Sequence, residues 1–199
     1  METIQQLRAE TGAGIMDVKG ALDEAGGDAT KALEILRKRG AAVAQKKAGR
    51  DAGEGVVMSY VHMGRIGVLV EVNCETDFVA RTDDFQNLAK DIAMQVASMN
   101  PQYLTADSIP AEVLDKEREI ALAQIEGDKP EEVKAKIVEG KVNKFASEVS
   151  LMEQKFFRDD SMTVRQLIEQ SIGKVGENIQ VRRFVRMSLD DAGKTTNAC

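Results

Sequence analysis

The chain has 199 residues, of which 43% are hydrophobic and 30% charged, with a formal net charge of -6. This composition is typical of a soluble globular protein with one ordinary domain and a small second one. No apolar run approaches the roughly 18 residues needed to span a bilayer, and the N-terminus lacks a signal-peptide pattern, so we expect a cytoplasmic protein that does not bind membranes. Two cysteines and one histidine are too few ligands for a structural metal site, and no cofactor is expected.

The first forty residues have the apolar spacing of three short helices. A capping-box pattern at Thr3 predicts the start of the first helix, and Asp28 is placed to cap the third, which Gly40 is expected to end. We therefore predict that residues 1–40 form a three-helix bundle resembling the ubiquitin-associated type. Bundles of this size usually serve as docking modules.

Residues 41–54 are rich in alanine, lysine and glycine and predict a connector that is partly helical. Between Glu34 and Asp51 the chain has no acid, and the basic side chains there are Arg37, Lys38, Arg39, Lys46, Lys47 and Arg50. This basic arm on an acidic protein has three interpretations: a solvated tether, a protein contact or an RNA contact. No aromatic side chain precedes Tyr60, so stacking partners for RNA bases are missing from the arm.

From residue 55 the apolar pattern changes to alternation. Segments 55–63 and 67–74 predict two strands joined by a short glycine-bearing turn, which indicates an antiparallel hairpin. Segment 179–187 predicts a third strand. The apolar face of that third strand is expected to carry Ile179, Val181, Val185 and Met187.

Helices are predicted between the second and third strands. One runs from Phe85 to Met99 behind a cap at Thr82 or Asp83, and another follows Pro110 and ends at 127–130. A long helix beginning at Pro130 carries an apolar seam through Val138, Val142, Phe145, Val149, Met152 and Phe156. These last two helices should pack as a helical hairpin.

The last predicted helix begins with a capping box at Thr163 and ends at Gly173. The fold class is therefore α+β. Residues 55–189 are expected to form a core with a three-stranded antiparallel sheet, packed with helices and the helical hairpin. The aperiodic segment 190–199 predicts a disordered tail.

Candidates for catalysis and nucleotide binding are weak. Segment 11–14 (Thr-Gly-Ala-Gly) lacks the Lys-Ser/Thr ending and the preceding strand of a phosphate loop, so direct nucleotide binding is not expected. Cys74 could be a nucleophile with His62 as its base. Cys74 falls in the buried series of its strand, however, which favours a small core residue.

Phe78 follows the second strand and has two interpretations. It stands seven positions before Phe85 and could extend the apolar stripe of the next helix into the core. Alternatively, it points outward from the polar corner formed by Glu75, Thr76 and Asp77. Spacing alone favours the core.

Segment 73–81 (Asn-Cys-Glu-Thr-Asp-Phe-Val-Ala-Arg) closely resembles a signature of the bacterial elongation factor Ts family. Segment 11–19 (Thr-Gly-Ala-Gly-Ile-Met-Asp-Val-Lys) resembles the other signature of that family. Shorter matches follow in the same order at 45–50, 151–154, 163–167 and 181–184, so the resemblance covers nearly the whole chain.

The resemblance implies a guanine-nucleotide exchange factor for elongation factor Tu, which displaces the partner's magnesium and promotes GDP release. It assigns this action to Thr76, Asp77, Phe78 and Val79. It implies further partner contacts at Lys19, Met16, Lys47 and Arg81. Leu7 and Ile15 are left open between bundle core and interface.

The family resemblance also bears on assembly. This chain has one core copy, as in the short form of the family, so a homodimer through the core is expected. No bond of a substrate is made or broken, so the protein is not expected to be an enzyme. The alternative from another functional class is a translation-associated RNA- or ribosome-binding module that uses the basic arm. A role for Cys199 does not follow from the sequence.

Overall fold

The computed structural model describes residues 2–125, 130–190 and 197–198. The helices are α1 (Glu2–Thr11), α2 (Ile15–Glu24), α3 (Ala29–Lys47), α4 (Asp77–Ala80), α5 (Asp83–Met99), α6 (Ala111–Ala123), α7 (Glu131–Val149) and α8 (Val164–Val175). The strands are β1 (Glu54–His62), β2 (Ile66–Cys74), β3 (Lys155–Phe156), β4 (Asp159–Thr163), β5 (Ile179–Ser188) and β6 (Asn197–Ala198). The α+β class is confirmed. The helix break expected at 127–129, most of the predicted tail and Cys199 lie outside the described residues.

Helices α1, α2 and α3 pack around an apolar cluster of their own, formed by Leu7, Val18, Ala21, Ala32 and Leu36. Asp28 caps α3 as predicted, because its carboxylate accepts the backbone N–H groups of Thr30 at 2.9 Å and Lys31 at 3.1 Å. The capping box predicted at Thr3 is wrong, since α1 already includes Glu2 and places Thr3 inside the helix. The three-helix bundle is confirmed.

Helix α3 does not end at Gly40 as predicted; it continues to Lys47 and includes part of the expected connector. Gly40 lies where α3 crosses α8, and a Cβ atom on Gly173 would lie 3.6 Å from the Cα atom of Gly40. Two glycines at a crossing allow the backbones to approach closely. Helix α8 also continues past its predicted end at Gly173, to Val175, and Gly176 provides its left-handed cap with φ of 75°.

The three predicted strands form an antiparallel sheet in the order β1, β2, β5. Helices α5 and α8 pack on one face of this sheet. The main buried apolar residues there are Val68, Val70, Val72, Phe85, Ile92, Val96, Ile168, Ile172 and Phe184. The two-residue strand β6 adds to the free edge of β5, with Asn197 opposite Val185. The prediction of a disordered tail is wrong for these two residues, because an aperiodic segment gives no sign of pairing with a distant strand.

A β-bulge interrupts the pairing of β2 with β5. Glu71 lies opposite Arg183, but the next residue of β2, Val72, lies opposite Val181, so Arg182 has no counterpart. One extra residue in a strand moves all later side chains to the other face. The bulge therefore divides β5 into two parts with opposite orientation.

The bulge corrects the predicted apolar face of β5. Val181 is buried as expected. Phe184, which strict alternation places on the opposite face, also lies in the core and is 3% exposed. Val185 and Met187 are exposed on the outer face of the sheet, so their predicted place beside Val181 is wrong. Strict alternation failed because it assumes an uninterrupted ladder.

Helices α6 and α7 pack against each other as the predicted helical hairpin, and Pro130 precedes α7. The predicted apolar seam is too long, because α7 ends at Val149 and leaves Met152 and Phe156 outside the helix. After Val149 the backbone bonds to another segment instead: the Leu151 N–H donates to the Tyr103 carbonyl at 2.9 Å. A small antiparallel hairpin of β3 and β4 follows, which the sequence did not predict.

Candidate functional site

Phe78 lies on α4, a single helical turn between β2 and α5, and it is 79% exposed. The chain bends after Ala80, and Thr82 begins α5 by accepting the N–H of Phe85 at 3.3 Å. Phe78 and Phe85 are therefore on different helices, and Phe85 alone is buried. The interpretation of Phe78 as a core residue, which the spacing favoured, is wrong.

The backbone around Phe78 is anchored on both sides. The Thr76 hydroxyl accepts the Val79 N–H at 3.4 Å and donates to a carboxylate oxygen of Glu177 at 2.7 Å. A second oxygen of Glu177 accepts the Thr76 backbone N–H at 3.0 Å. Val79 packs against the main core, and Ala80 is buried. Phe78 is thus an exposed aromatic side chain on a fixed support.

Asp77 and Arg81 form an ion pair across one turn, with 2.7 Å between the Arg81 guanidinium and the Asp77 carboxylate. Both side chains are exposed, and such pairs contribute at most about 1 kcal/mol to stability. The carboxylate beside Phe78 can therefore exchange Arg81 for a donor on another molecule at little cost. In the free chain Arg81 holds that carboxylate next to Phe78.

The basic arm makes contacts within the chain. The Lys47 ammonium donates to the Gly176 carbonyl, and the Arg50 guanidinium lies 3.4 Å from the Glu75 carboxylate. Asn178 donates its side-chain amide to the Arg50 carbonyl at 2.8 Å. Further along the arm, Arg37 and Arg39 contact Ser161 and Glu24. Among the arm contacts that the structure describes, only that of Arg50 reaches the corner directly, through Glu75, but the contacts of these side chains within the chain favour a supporting role over RNA binding.

Glu75 joins the arm to the turn between α8 and β5. Its carboxylate accepts the backbone N–H of Asn178 at 2.7 Å. This hydrogen bond, together with the positive charges of Arg50 and Lys47, holds the pKa of Glu75 below its ordinary value of 4.5. Glu75 is therefore ionised at neutral pH and accepts hydrogen bonds from Arg50 on the arm and from the Asn178 N–H on the turn.

The segment 11–19 is presented by the N-terminal bundle. Met16 and Ile15 are 77% and 54% exposed at the start of α2, and Lys19 is exposed one turn later. Leu7 is buried in the bundle, so of the two residues left open it is the one in the core. Gly12 has a φ of 67°, and a Cβ atom there would lie 2.6 Å from the side chain of Lys174 on α8. This glycine allows the bundle to pack closely on the core.

Comparison with known proteins shows the family. A sequence model of the family described as elongation factor TS matches residues 31–172. The chain belongs to the elongation factor Ts family. Its relatives include elongation factor Ts of Thermotoga petrophila, 56% identical over 96% of each chain, and that of Thermodesulfovibrio yellowstonii, 53% identical over 94% of each chain. Elongation factor Ts of Carboxydothermus hydrogenoformans is 54% identical over 96% of this chain and 88% of its own length.

Elongation factor Ts is the nucleotide exchange factor for elongation factor Tu, and the predicted membership of this family is confirmed. The two signature segments lie on different parts of the fold. Segment 11–19 packs with α1 and α3, whereas the Phe78 turn packs with β1, β2 and α5. Helices α3 and α8 connect them, because α3 crosses α8 and both end at the contacts described for Lys47 and Gly176.

A Cys–His catalytic pair is excluded by the hairpin register. Cys74 lies opposite Glu54, whereas His62 lies opposite Ile66 at the other end of the β1–β2 hairpin. Eight residues separate Cys74 from Ile66, which corresponds to about 27 Å along a strand. Cys74 is fully buried, and burial raises the pKa of its thiol to about 11. The interpretation of Cys74 as a core residue is confirmed.

Within 2–125, 130–190 and 197–198, no three His, Cys, Asp or Glu side chains lie close enough together to hold a metal ion. None of the helices described has the length and apolar composition needed to cross a membrane.

Sequence reasoning missed the residues that support Phe78 from the α8–β5 turn. Gly176, Glu177 and Asn178 stand about 100 positions from Thr76, and no periodic pattern marks them. The one local signal was the glycine, which predicts a helix end but does not predict what the following side chains contact.

Proposed function

We propose that this chain promotes GDP release by inserting Phe78 near the magnesium site of elongation factor Tu. The observation that carries the proposal is that Phe78 is 79% exposed on a turn whose backbone is anchored on both sides. Burying a phenylalanine side chain at an interface contributes about 1.5–3 kcal/mol. A fixed support reduces the entropy lost on binding, so more of this energy is available to move groups of the partner.

The physical effect of Phe78 follows from the role of magnesium at a nucleotide site. Magnesium bridges the phosphates and neutralises their charge, so moving it or its ligands weakens GDP binding. Asp77 lies beside Phe78 and offers a carboxylate that can accept hydrogen bonds from displaced groups of the partner. Thr76 and Val79 complete the element by holding its backbone. The chain makes and breaks no covalent bond in this process, which takes place in the cytoplasm.

Docking of the N-terminal bundle precedes the action of Phe78 in this proposal. Met16 supplies an exposed apolar contact and Lys19 a positive charge on the same helix. Lys47 and Arg81 already donate to acceptors within the chain, so they contribute mainly by orienting the contact surface. Ile15 belongs to the interface because it is exposed beside Met16.

The proposal includes a homodimer through the outer face of the sheet. Five exposed apolar side chains from three neighbouring strands lie on this face: Val57, Val61, Leu69, Val185 and Met187. Leu69 lies directly opposite Val185, so the patch is continuous from β2 to β5. A two-fold axis would pack this face against the same face of a second copy, as two sheets pack in a sandwich. The ion pair of Glu71 and Arg183 borders the apolar patch.

Release of labelled GDP from purified elongation factor Tu tests the proposal. The rate is measured with and without this chain, at several concentrations, in excess unlabelled nucleotide. We expect acceleration that increases with concentration and then saturates. Because coupling is reciprocal, added GDP must weaken binding of the chain to the partner by the same factor that the chain weakens GDP binding. A release rate that stays the same at every concentration would contradict the proposed function.

A further inference from the structure

The turn between α8 and β5 contacts the basic arm and two residues of the polar corner, Glu75 and Thr76. Gly176 accepts from Lys47 at the end of α3, and Asn178 binds both Arg50 and Glu75. Between them, Glu177 binds Thr76 through two hydrogen bonds of 2.7 and 3.0 Å. Three consecutive residues therefore connect the arm, the end of β2 and the cap of α4.

Glu177 makes the contact closest to Phe78. Its carboxylate accepts from the Thr76 hydroxyl, which fixes the hydroxyl hydrogen and leaves an oxygen lone pair directed to the Val79 N–H. Its other oxygen accepts the Thr76 backbone N–H. The carboxylate thus holds both the main chain and the side chain of the residue that caps α4.

The α4 turn depends on such support. It has four residues, far fewer than the 12–15 that an isolated helix needs to be marginally stable in water. Phe78 is 79% exposed and gains little support from packing of its own side chain. Its direction is therefore determined by Val79 and Ala80 on the core side and by Thr76 on the other side.

We infer that Glu177 is a positioning residue of the exchange element, which fixes the direction of Phe78 through Thr76 without touching the partner. This inference rests on the proposed function of Phe78. It gives a role to a side chain outside both signature segments. Two hydrogen bonds to an ionised carboxylate form a stronger restraint than bonds between neutral groups would.

A fluorescence measurement tests the positioning directly and does not require the partner. The chain has no tryptophan, so Phe78→Trp introduces a single probe at the position concerned. Glu177→Ala in this background should lower the steady-state anisotropy of the free protein, because the turn becomes mobile. Glu148→Ala removes an acid that pairs with Lys144 on α7, remote from the corner in the fold, and should leave the anisotropy unchanged.

An exchange measurement tests the consequence. With Phe78 intact, Glu177→Ala should slow GDP release from the saturated complex about tenfold, the loss expected for a removed charge-assisted hydrogen bond. The thermal unfolding midpoint should fall by only a few degrees relative to Glu148→Ala, so the variant remains folded at the assay temperature and general unfolding is excluded as the cause. Thr76→Val should slow release by a similar factor, and the double variant should be no slower than either single variant. Thr76→Ser keeps the hydroxyl and should restore the rate.

The outcomes separate this inference from the proposed function. Unchanged anisotropy in Glu177→Ala would overturn the positioning role, whatever the exchange data show. Multiplied losses in the double variant would also overturn it, since the two residues would then act independently. If the unaltered chain fails to accelerate GDP release, the proposed function fails, but the anisotropy still decides whether Glu177 positions residue 78.

Discussion

Phe78→Ala is the substitution with the most specific expected effect. The side chain is 79% exposed in the free chain, so its removal should change the free energy of unfolding by no more than about 0.5 kcal/mol. An aromatic anchor that becomes buried at the centre of an interface costs about 2–4 kcal/mol when truncated. The corresponding loss in exchange efficiency is roughly 30- to 900-fold. Nearly intact stability together with a severe loss of exchange is the expected combination.

The assay compares labelled GDP release from elongation factor Tu at a chain concentration well below saturation, with thermal unfolding recorded on the same samples. Leu122→Ala is the matched control, because Leu122 is a large apolar residue, 54% exposed, on α6 in the helical hairpin. It should retain both exchange and stability. The assignment of Phe78 as an exposed side chain that inserts into the partner is refuted by either of two results. One is that Phe78→Ala accelerates GDP release as well as Leu122→Ala does, and the other is that its thermal unfolding midpoint is several degrees lower than that of Leu122→Ala.

Three further predictions concern assembly, helix packing and pH. Met187→Asp places a charge on the outer face of the sheet and should convert dimers to monomers in sedimentation experiments, whereas a monomeric unaltered chain would count against the proposed interface. Gly173→Ala makes an ordinary contact with Gly40 and should raise the free energy of unfolding by up to about 1 kcal/mol. Gly173→Leu is too large for the crossing of α3 and α8 and should lower the free energy of unfolding by about 1–3 kcal/mol. Equal effects of the two substitutions in denaturant titrations would refute the close crossing. Glu75 has a lowered pKa, so its contribution to the stability of the fold is present above pH 4.5 and is lost as the pH falls below that value. The difference in unfolding midpoint between the unaltered chain and Glu75→Gln should therefore disappear in acid. A difference that stays constant with pH would contradict this prediction.

The sequence predicted best those elements whose ends carry local signals. Asp28, Thr82 and Thr163 each accept a backbone N–H at the start of a helix, as their positions indicated. The β1–β2 hairpin was also evident, because a short turn fixes its register. These features depend on residues within a few positions of one another.

The predictions that failed depend on distant residues. Gly40 and Gly173 have the local character of helix ends, but they face each other at a crossing and both helices continue. The bulge at Arg182 in β5 is set by pairing with β2, about 110 residues earlier, and periodicity within one strand cannot detect it. Tertiary packing overrode the local preference in each case.

In the candidate site, too, features set by nearby residues were predicted and a contact between distant residues was missed. Apolar spacing favoured a buried Phe78, whereas the signature segment marked it as a contact residue, and the exposure found agrees with the latter. Asp77 and Thr76 were predicted from the same segment as members of the exchange element. Glu177 was not, because its contact with Thr76 joins residues 101 positions apart.

The dependence of exchange on magnesium tests the central claim most directly. The rate of GDP release from elongation factor Tu is measured with and without this chain, first in magnesium and then after the magnesium has been chelated. If the Phe78 corner acts on the partner's magnesium site, the acceleration should be large in magnesium and distinctly smaller after chelation. Chelation has then already removed the ion whose displacement by this chain weakens GDP binding. An acceleration that is equally large in both conditions would contradict the claim.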